Sequence, residues 1–169
     1  RWFSLFEDTA KQEWRLSDLI ICGSEFVREG VRAAGGPYER CVVVPYGVTM
    51  PDGPARMRDS MEERPLRVLI LGSVEVRKGA PVVAEVAAAL GCRAEFRWAG
   101  KDKLLPLGRE RLTTHVKLLG HIPRSEIATL FAWADVFLLP SLCEGSATVC
   151  YESLACGVPV IATKNAGTV

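Results

Sequence analysis

The chain has almost no excess of charge of either sign: 21 Lys and Arg stand against 20 Asp and Glu, a formal net charge of +1 over 169 residues. Nucleic-acid binders usually carry a basic face or a high pI, so nucleic acid is not an expected partner. Also missing is any run of about 18 apolar residues, so no transmembrane helix is expected. The most apolar stretch, Ala128–Pro140, is interrupted by Asp135. Histidine is scarce, with only His115 and His121. None of the six cysteines forms C-x-x-C, and Cys143, Cys150 and Cys156 match no zinc-binding spacing. No metal is expected, and the cysteines read as small core residues in a reducing compartment. Asn165 is followed by Ala166 and Gly167, so it is no glycosylation acceptor, and a cytoplasmic location is favoured. The start Arg1-Trp2-Phe3-Ser4 lacks signal-peptide architecture and an initiating Met, so the chain is expected to be a piece of a longer one. G-x-G-x-x-G after a strand, G-x-x-x-x-G-K-[ST] and G-x-S-x-G are all absent. The common dinucleotide, P-loop and nucleophile-elbow sites are thereby excluded.

What is present is an ordinary globular composition, 49% hydrophobic and 24% charged, which argues for a packed core. Helical and strand patterns alternate, the mark of an α/β fold with a parallel sheet. Trp2–Leu16 reads as a helix, and Asp18–Gly23 as a short buried strand. Ser24 is a plausible N-cap for a helix over Glu25–Ala34, and Cys41–Val44 is a second strand. Residues 49–65, rich in Pro, Met and charge, read as a linker. A new unit then begins. Strands are expected at Arg67–Leu71, Ala94–Ala99, Val116–Leu119, Asp135–Leu139 and Val158–Ala162. Helices are expected at Pro81–Leu90, Ser125–Ala134 and Thr148–Cys156, with Lys101–Leu112 partly helical. Pro81 at a helix start and Gly91 just past its end follow the usual asymmetry.

Two strand ends carry the chemistry. The first is Gly72-Ser-Val-Glu-Val-Arg-Lys-Gly79, which places Arg77 and Lys78 just before a helix. In open α/β sheets ligands sit beyond the carboxyl ends of the strands, and a cation beside free helix N–H groups makes an anion site. The second is Pro140-Ser-Leu-Cys-Glu-Gly-Ser-Ala-Thr-Val-Cys-Tyr-Glu152. Gly145, Ser146 and Ala147 are small and leave backbone N–H groups approachable, and Ser146 is placed to cap the following helix. A carboxylate accepts two hydroxyl hydrogen bonds, so Glu144 and Glu152 suit the diols of a ribose or hexose. Taken singly, Arg77, Lys78, Glu144 and Glu152 read more readily as solvated surface groups, the common fate of their types, and Glu144 also as a complement to the helix dipole.

Together they resemble the donor-binding half of the family 4 glycosyltransferases, which have the GT-B fold. The Glu144-x7-Glu152 spacing is that family's signature. Ala134-Asp-Val-Phe-Leu-Leu-Pro-Ser141 before it and Glu152-Ser-Leu-Ala-Cys-Gly-Val-Pro-Val-Ile-Ala-Thr163 after it are similar to the same family. So are Ser17-Asp-Leu-Ile-Ile-Cys-Gly-Ser-Glu25 and Val42-Val-Val-Pro-Tyr-Gly-Val48. The resemblance runs from about residue 17 to the end, with its motifs in the family's order.

The resemblance implies a Rossmann-like parallel sheet with flanking helices and a retaining, metal-independent hexosyl transfer. The nucleotide-diphosphate sugar is the substrate, with no further cofactor. Lys78 would contact the diphosphate with Arg77 assisting, and Glu144 would meet the donor-sugar hydroxyls. The N–H groups of Ser146, Ala147 and Thr148, beside Gly145, would face the diphosphate or sugar, and Glu152 would hold the ribose. Gly120-His121-Ile122 would lie at the nucleobase, mainly through backbone. Ser73 stands where many members carry Arg, and Glu-Gly-Ser-Ala-Thr where many carry Glu-Gly-Phe-Gly-Leu. The first change removes a phosphate cation unless Arg77 replaces it, and the second bears on sugar preference.

By the same resemblance residues 1–48 are the end of an acceptor-side domain and 49–65 an interdomain linker. Residues 66–169 are then an incomplete nucleotide-sugar domain. The acceptor, a sugar or a lipid-linked sugar in polysaccharide or glycoconjugate assembly, would meet the other half, so this piece alone is expected to be inactive. Membrane association of the intact protein stays open. The rivals are a nucleotide-sugar epimerase of the same fold and a non-catalytic nucleotide-binding module, which Ser73 keeps in play.

Overall fold

Short runs that stop at glycine or proline build all but the last of the described strands. The computed structural model describes residues 2–49 and 63–168, with side chains from Asp8 onward. Residues 50–62 of the expected linker lie outside the described residues. Helix α1 (Trp2–Leu16) leads into β1 (Ile20–Cys22), α2 (Glu25–Ala33) and β2 (Cys41–Val43). The second part runs β3 (Leu66–Leu71), α3 (Ala80–Leu90), β4 (Ala94–Ala99), α4 (Pro106–Thr113) and β5 (Val116–Gly120). It ends with α5 (Ile127–Trp133), β6 (Val136–Leu139), α6 (Thr148–Ala155) and β7 (Val160–Ala162).

β1 and β2 pair in parallel, Ile20 opposite Cys41, with α2 as the crossover. The segment thus makes a small two-stranded sheet of its own. Ser24 caps α2, its hydroxyl accepting from the Val27 N–H at 3.2 Å. Cys22, Val31 and Cys41 are buried beneath it.

The other five strands form one parallel sheet in the order β5-β4-β3-β6-β7. β3 lies at its centre, in register with β4 from Leu66 opposite Ala94 to Leu71 opposite Ala99. Its alternation serves two cores. Val68 and Ile70 join Trp98, Val83, Ala87 and Leu112 on the α3–α4 side. Leu69 and Leu71 join Phe131, Phe137, Leu139 and Cys150 on the α5–α6 side. Both faces are covered, which is why β3 reads as a continuous apolar run rather than an alternating one.

The differences from expectation have local causes. The expected helix over Ser125–Ala134 opens as a 3-10 turn at Arg124–Glu126 before α5 begins. β7 starts at Val160 because Val158 is folded onto α6: its N–H donates to Ser153 O, and its carbonyl accepts from Ser153 Oγ. Pro159 then has no N–H for a ladder. Asp135 does not extend β6. It accepts the Arg67 N–H at 2.9 Å and a bidentate pair from Arg64 at 2.6 and 3.0 Å, which ties the start of β3 to the end of α5.

Candidate donor-binding cleft

The strand order makes a crevice. From β3 the chain passes through β4 and β5 on one side, then returns to β6 on the other. The carboxyl ends of β3 and β6 therefore flank a topological switch point, where ligands of doubly wound sheets bind. The turn after β3 is anchored from below, since the buried Trp98 indole donates to Gly72 O at 2.9 Å. It continues through a 3-10 turn at Val76–Lys78 to Gly79. Gly79 is required there. Its φ is +82°, and a Cβ would run into the Pro140 carbonyl of the loop after β6. The Leu142 N–H donates to Arg77 O at 2.8 Å, so the two loops also share a backbone bond.

Opposite charges meet across this seam. Lys78 Nζ lies 2.6 Å from Glu144 Oε1, and both side chains are largely covered, at 13% and 14% exposure. Removing either partner would strand the other's charge in a place of poor solvation. Arg77 stands behind the pair and reaches Glu144 Oε1 at 2.7 Å, Cys143 O at 3.0 Å and Glu75 Oε1 at 2.9 Å. Burial alone would lower its pKa, but the Glu144 and Glu75 carboxylates outweigh that and raise it. Glu75 in turn accepts the Ser73 hydroxyl at 2.8 Å and the Lys103 ammonium at 3.3 Å. The Ser73 hydrogen bond leads the lowering of its pKa, against burial, with Lys103 and Arg77 adding to it. Beneath the site the Cys150 thiol is pushed up to about 11, chiefly by burial, with Glu144 adding to the rise and Lys78 opposing it.

The start of α6 forms the cleft's floor. Ser146 does not cap it, contrary to expectation. The N-cap is Ala147, and no side chain accepts from the first turn. The Ser146 hydroxyl is buried and has no hydrogen-bond partner among the described residues. The leading N–H groups therefore keep their capacity for an anion. Glu152 lies one turn further along α6 and is 13% exposed; its Oε1 is held at 2.6 Å by Arg124.

The resulting cleft, about 320 Å³, is lined by Lys78, Glu144, Ser146, Ala147, Thr148 and Glu152 together with Leu71, Gly72, Val149 and Arg124. Most of the expected set is thereby brought together. Arg77 and Ser73 are not on the lining; they brace it from behind. Gly145 sits at its rim, with its carbonyl taken by the Ser24 hydroxyl from the small sheet. His121 is exposed and Ile122 packs into the α5–α6 core, so the lining reaches that loop at Arg124 instead. Arg124 carries no motif of its own, and only Pro123, which sets up a turn, marks the place in the sequence. Among the described residues no helix is long and apolar enough to cross a membrane.

An open parallel sheet with a charged crevice at its switch point defines a Rossmann-like ligand-binding domain. Residues 65–169 match the family model for Glycosyl transferases group 1, and the chain belongs to that family. The amylovoran biosynthesis glycosyltransferase AmsK of Erwinia amylovora is 29% identical over 166 residues, covering 89% of this chain and 40% of AmsK. A GDP-mannose-dependent α-(1-6)-phosphatidylinositol monomannoside mannosyltransferase of Mycolicibacterium smegmatis is 30% identical, covering 89% and 45%. The chain thus spans less than half the length of these relatives. Among solved structures, Anabaena Alr3699/HepE in complex with UDP and glucose superposes with a TM-score of 0.77 at 21% identity, over 95% of this chain and 48% of that one. The GT-B expectation for the fold is met.

Proposed function

We propose that this cleft binds the nucleoside-diphosphate sugar donor of a retaining glycosyl transfer in polysaccharide or glycoconjugate assembly. The observation that carries the reading is the convergence of Lys78, the uncapped α6 N-terminus and Glu152 in one cleft at the switch point. They offer positive potential at the start of α6 and a diol acceptor one turn along it. The diphosphate lies against Lys78 and the N–H groups of Ser146, Ala147 and Thr148, and the ribose lies at Glu152. Glu144 turns toward the sugar hydroxyls.

As the nucleoside diphosphate departs, negative charge gathers on its β-phosphate. Lys78 and the helix N-terminus meet that charge with donors already in place, which lowers the barrier. The Lys78 ammonium has three donors and keeps Glu144 while engaging a phosphate oxygen. Arg77 and Glu75 hold Glu144 in position. No metal or organic cofactor enters this mechanism. The acceptor is a sugar or lipid-linked sugar that approaches from outside this half. The relatives' names, amylovoran biosynthesis and mannosyl transfer to a phosphatidylinositol mannoside, support that substrate class.

The test is a thermal-shift titration with UDP, GDP, ADP and CMP. A nucleotide at 100 times its dissociation constant stabilises the fold by about 2.7 kcal/mol. One of the four is expected to raise the melting temperature, and Lys78→Ala and Glu152→Ala are each expected to abolish the rise. A melt unmoved by all four nucleotides overturns the reading.

A further inference from the structure

Glu152 is engaged before any ribose arrives. Its Oε1 accepts from the Arg124 guanidinium at 2.6 Å, and both residues line the cleft. The two partners differ sharply in exposure. Glu152 is 13% exposed and fixed on α6, whereas Arg124 is 78% exposed and sits on the 3-10 turn at Arg124–Glu126. Arg124 is thus tethered at its tip and solvated along its length. Such a side chain leaves its partner at small cost to itself, because water rehydrates a free guanidinium, and the incoming diol meets the charge left on Glu152. A ribose diol engages a carboxylate with both hydroxyls, which takes both oxygens. The guanidinium on Oε1 already takes one of the carboxylate's acceptor positions from within the cleft, so an incoming diol meets it there as a rival.

We propose that Arg124 is a built-in competitor for the ribose-accepting carboxylate. It holds Glu152 until a nucleotide displaces it, and it tunes donor affinity through Glu152 rather than by touching the donor. This rests on the reading of the cleft given under Proposed function. Competition of this kind keeps the carboxylate from standing bare, and it penalises any ligand that lacks the diol needed to take Arg124's place.

The experiment is a double-mutant cycle on the protein, with the dissociation constants of UDP, GDP, ADP and CMP measured by calorimetry. The four forms are wild type, Arg124→Gln, Glu152→Gln and the double variant. Arg124 is largely solvated, so its variant keeps the fold. Arg124→Gln is expected to tighten binding of the preferred nucleotide by up to about fivefold, the range of an exposed ion pair. In the Glu152→Gln background the same change is expected to do nothing, since the two residues act as one unit. Salt is expected to shrink the gain, because it screens the pair in the wild type. Weaker binding in Arg124→Gln, by the same factor in both backgrounds, would make Arg124 a direct donor ligand and overturn the proposal. Unchanged binding in Arg124→Gln would also overturn it, with the donor-site reading left intact. A protein that binds none of the four in any form overturns both.

Discussion

The two parallel sheets are written in the same kind of sequence yet have different surroundings. In the five-stranded sheet neighbouring residues of a central strand are both sealed, with Leu69 and Ile70 each at 0% exposure. In the two-stranded sheet the alternate residues face out: Ile21 is 68% and Val42 45% exposed, while Cys22 and Cys41 are buried. An apolar run therefore announces a parallel strand but not the number of layers packed on it. The doubly covered sheet holds the cleft, and the segment of the small sheet reaches it through the Ser24 hydroxyl.

The largest effect that would sharpen the contrast comes from the cores. Trp98→Ala should destabilise the protein by about 3–5 kcal/mol in urea unfolding, because it empties a sealed site and frees the Gly72 carbonyl. Ile21→Ser should stay within about 0.5 kcal/mol. Equal costs would break the comparison.

A second contrast uses two glycines with nearly the same backbone. Gly35 has φ +76° with nothing within 4 Å of an added Cβ, whereas Gly79 has φ +82° and the Pro140 carbonyl in the way. Gly35→Ala should cost about 1–2 kcal/mol, the conformational penalty alone. Gly79→Ala should cost more and also lower nucleotide affinity, since it pries the two loops apart. A Gly79 variant with unchanged affinity would show that the seam does not shape the cleft.

The smallest effect is a pH slope. The Cys150 pKa rises from 9.0 unfolded to about 11 folded through burial. The folded state then binds more protons in that window, so this contribution is intact below pH 9 and is lost as pH rises toward 11. Cys150→Ala should flatten the fall in denaturation midpoint over that range, and an unchanged slope would assign it to other groups.

Much of this architecture was legible because its signals are local. β4 falls on Ala94–Ala99 as expected, with Phe96 and Trp98 alternating with Glu95 and Arg97, and Gly91 ends α3 as expected. Lys78, Glu144 and Glu152 were visible because each lies at a strand end or on the helix that follows. The failures are of another kind. α4 was indistinct because Pro106–Thr113 is short and buries only Leu112. Ser146 has the chemistry of a cap, but its hydroxyl is buried and caps nothing. Arg77, expected to assist at the diphosphate, lies off the cleft's lining and is held by Glu75, Glu144 and Cys143 O, partners that its place beside Lys78 does not announce. Arg124 meets Glu152 across 28 residues, a proximity that no periodicity records.

The loop that carries Glu144 has a consequence for the order of folding. It is held by Arg77, 67 residues earlier, and its Gly145 carbonyl by Ser24, 121 residues earlier. From the other direction, the Glu144 N–H donates to Asn165 O at 2.8 Å, and Gly167 packs on the Gly145 carbonyl. Each of these closures costs chain entropy before it returns any contact energy. On these spans Glu144 is expected to settle after both cores have condensed, and amide exchange during refolding would test it. During synthesis the seat of this carboxylate is incomplete until residues 165–167 have left the ribosome.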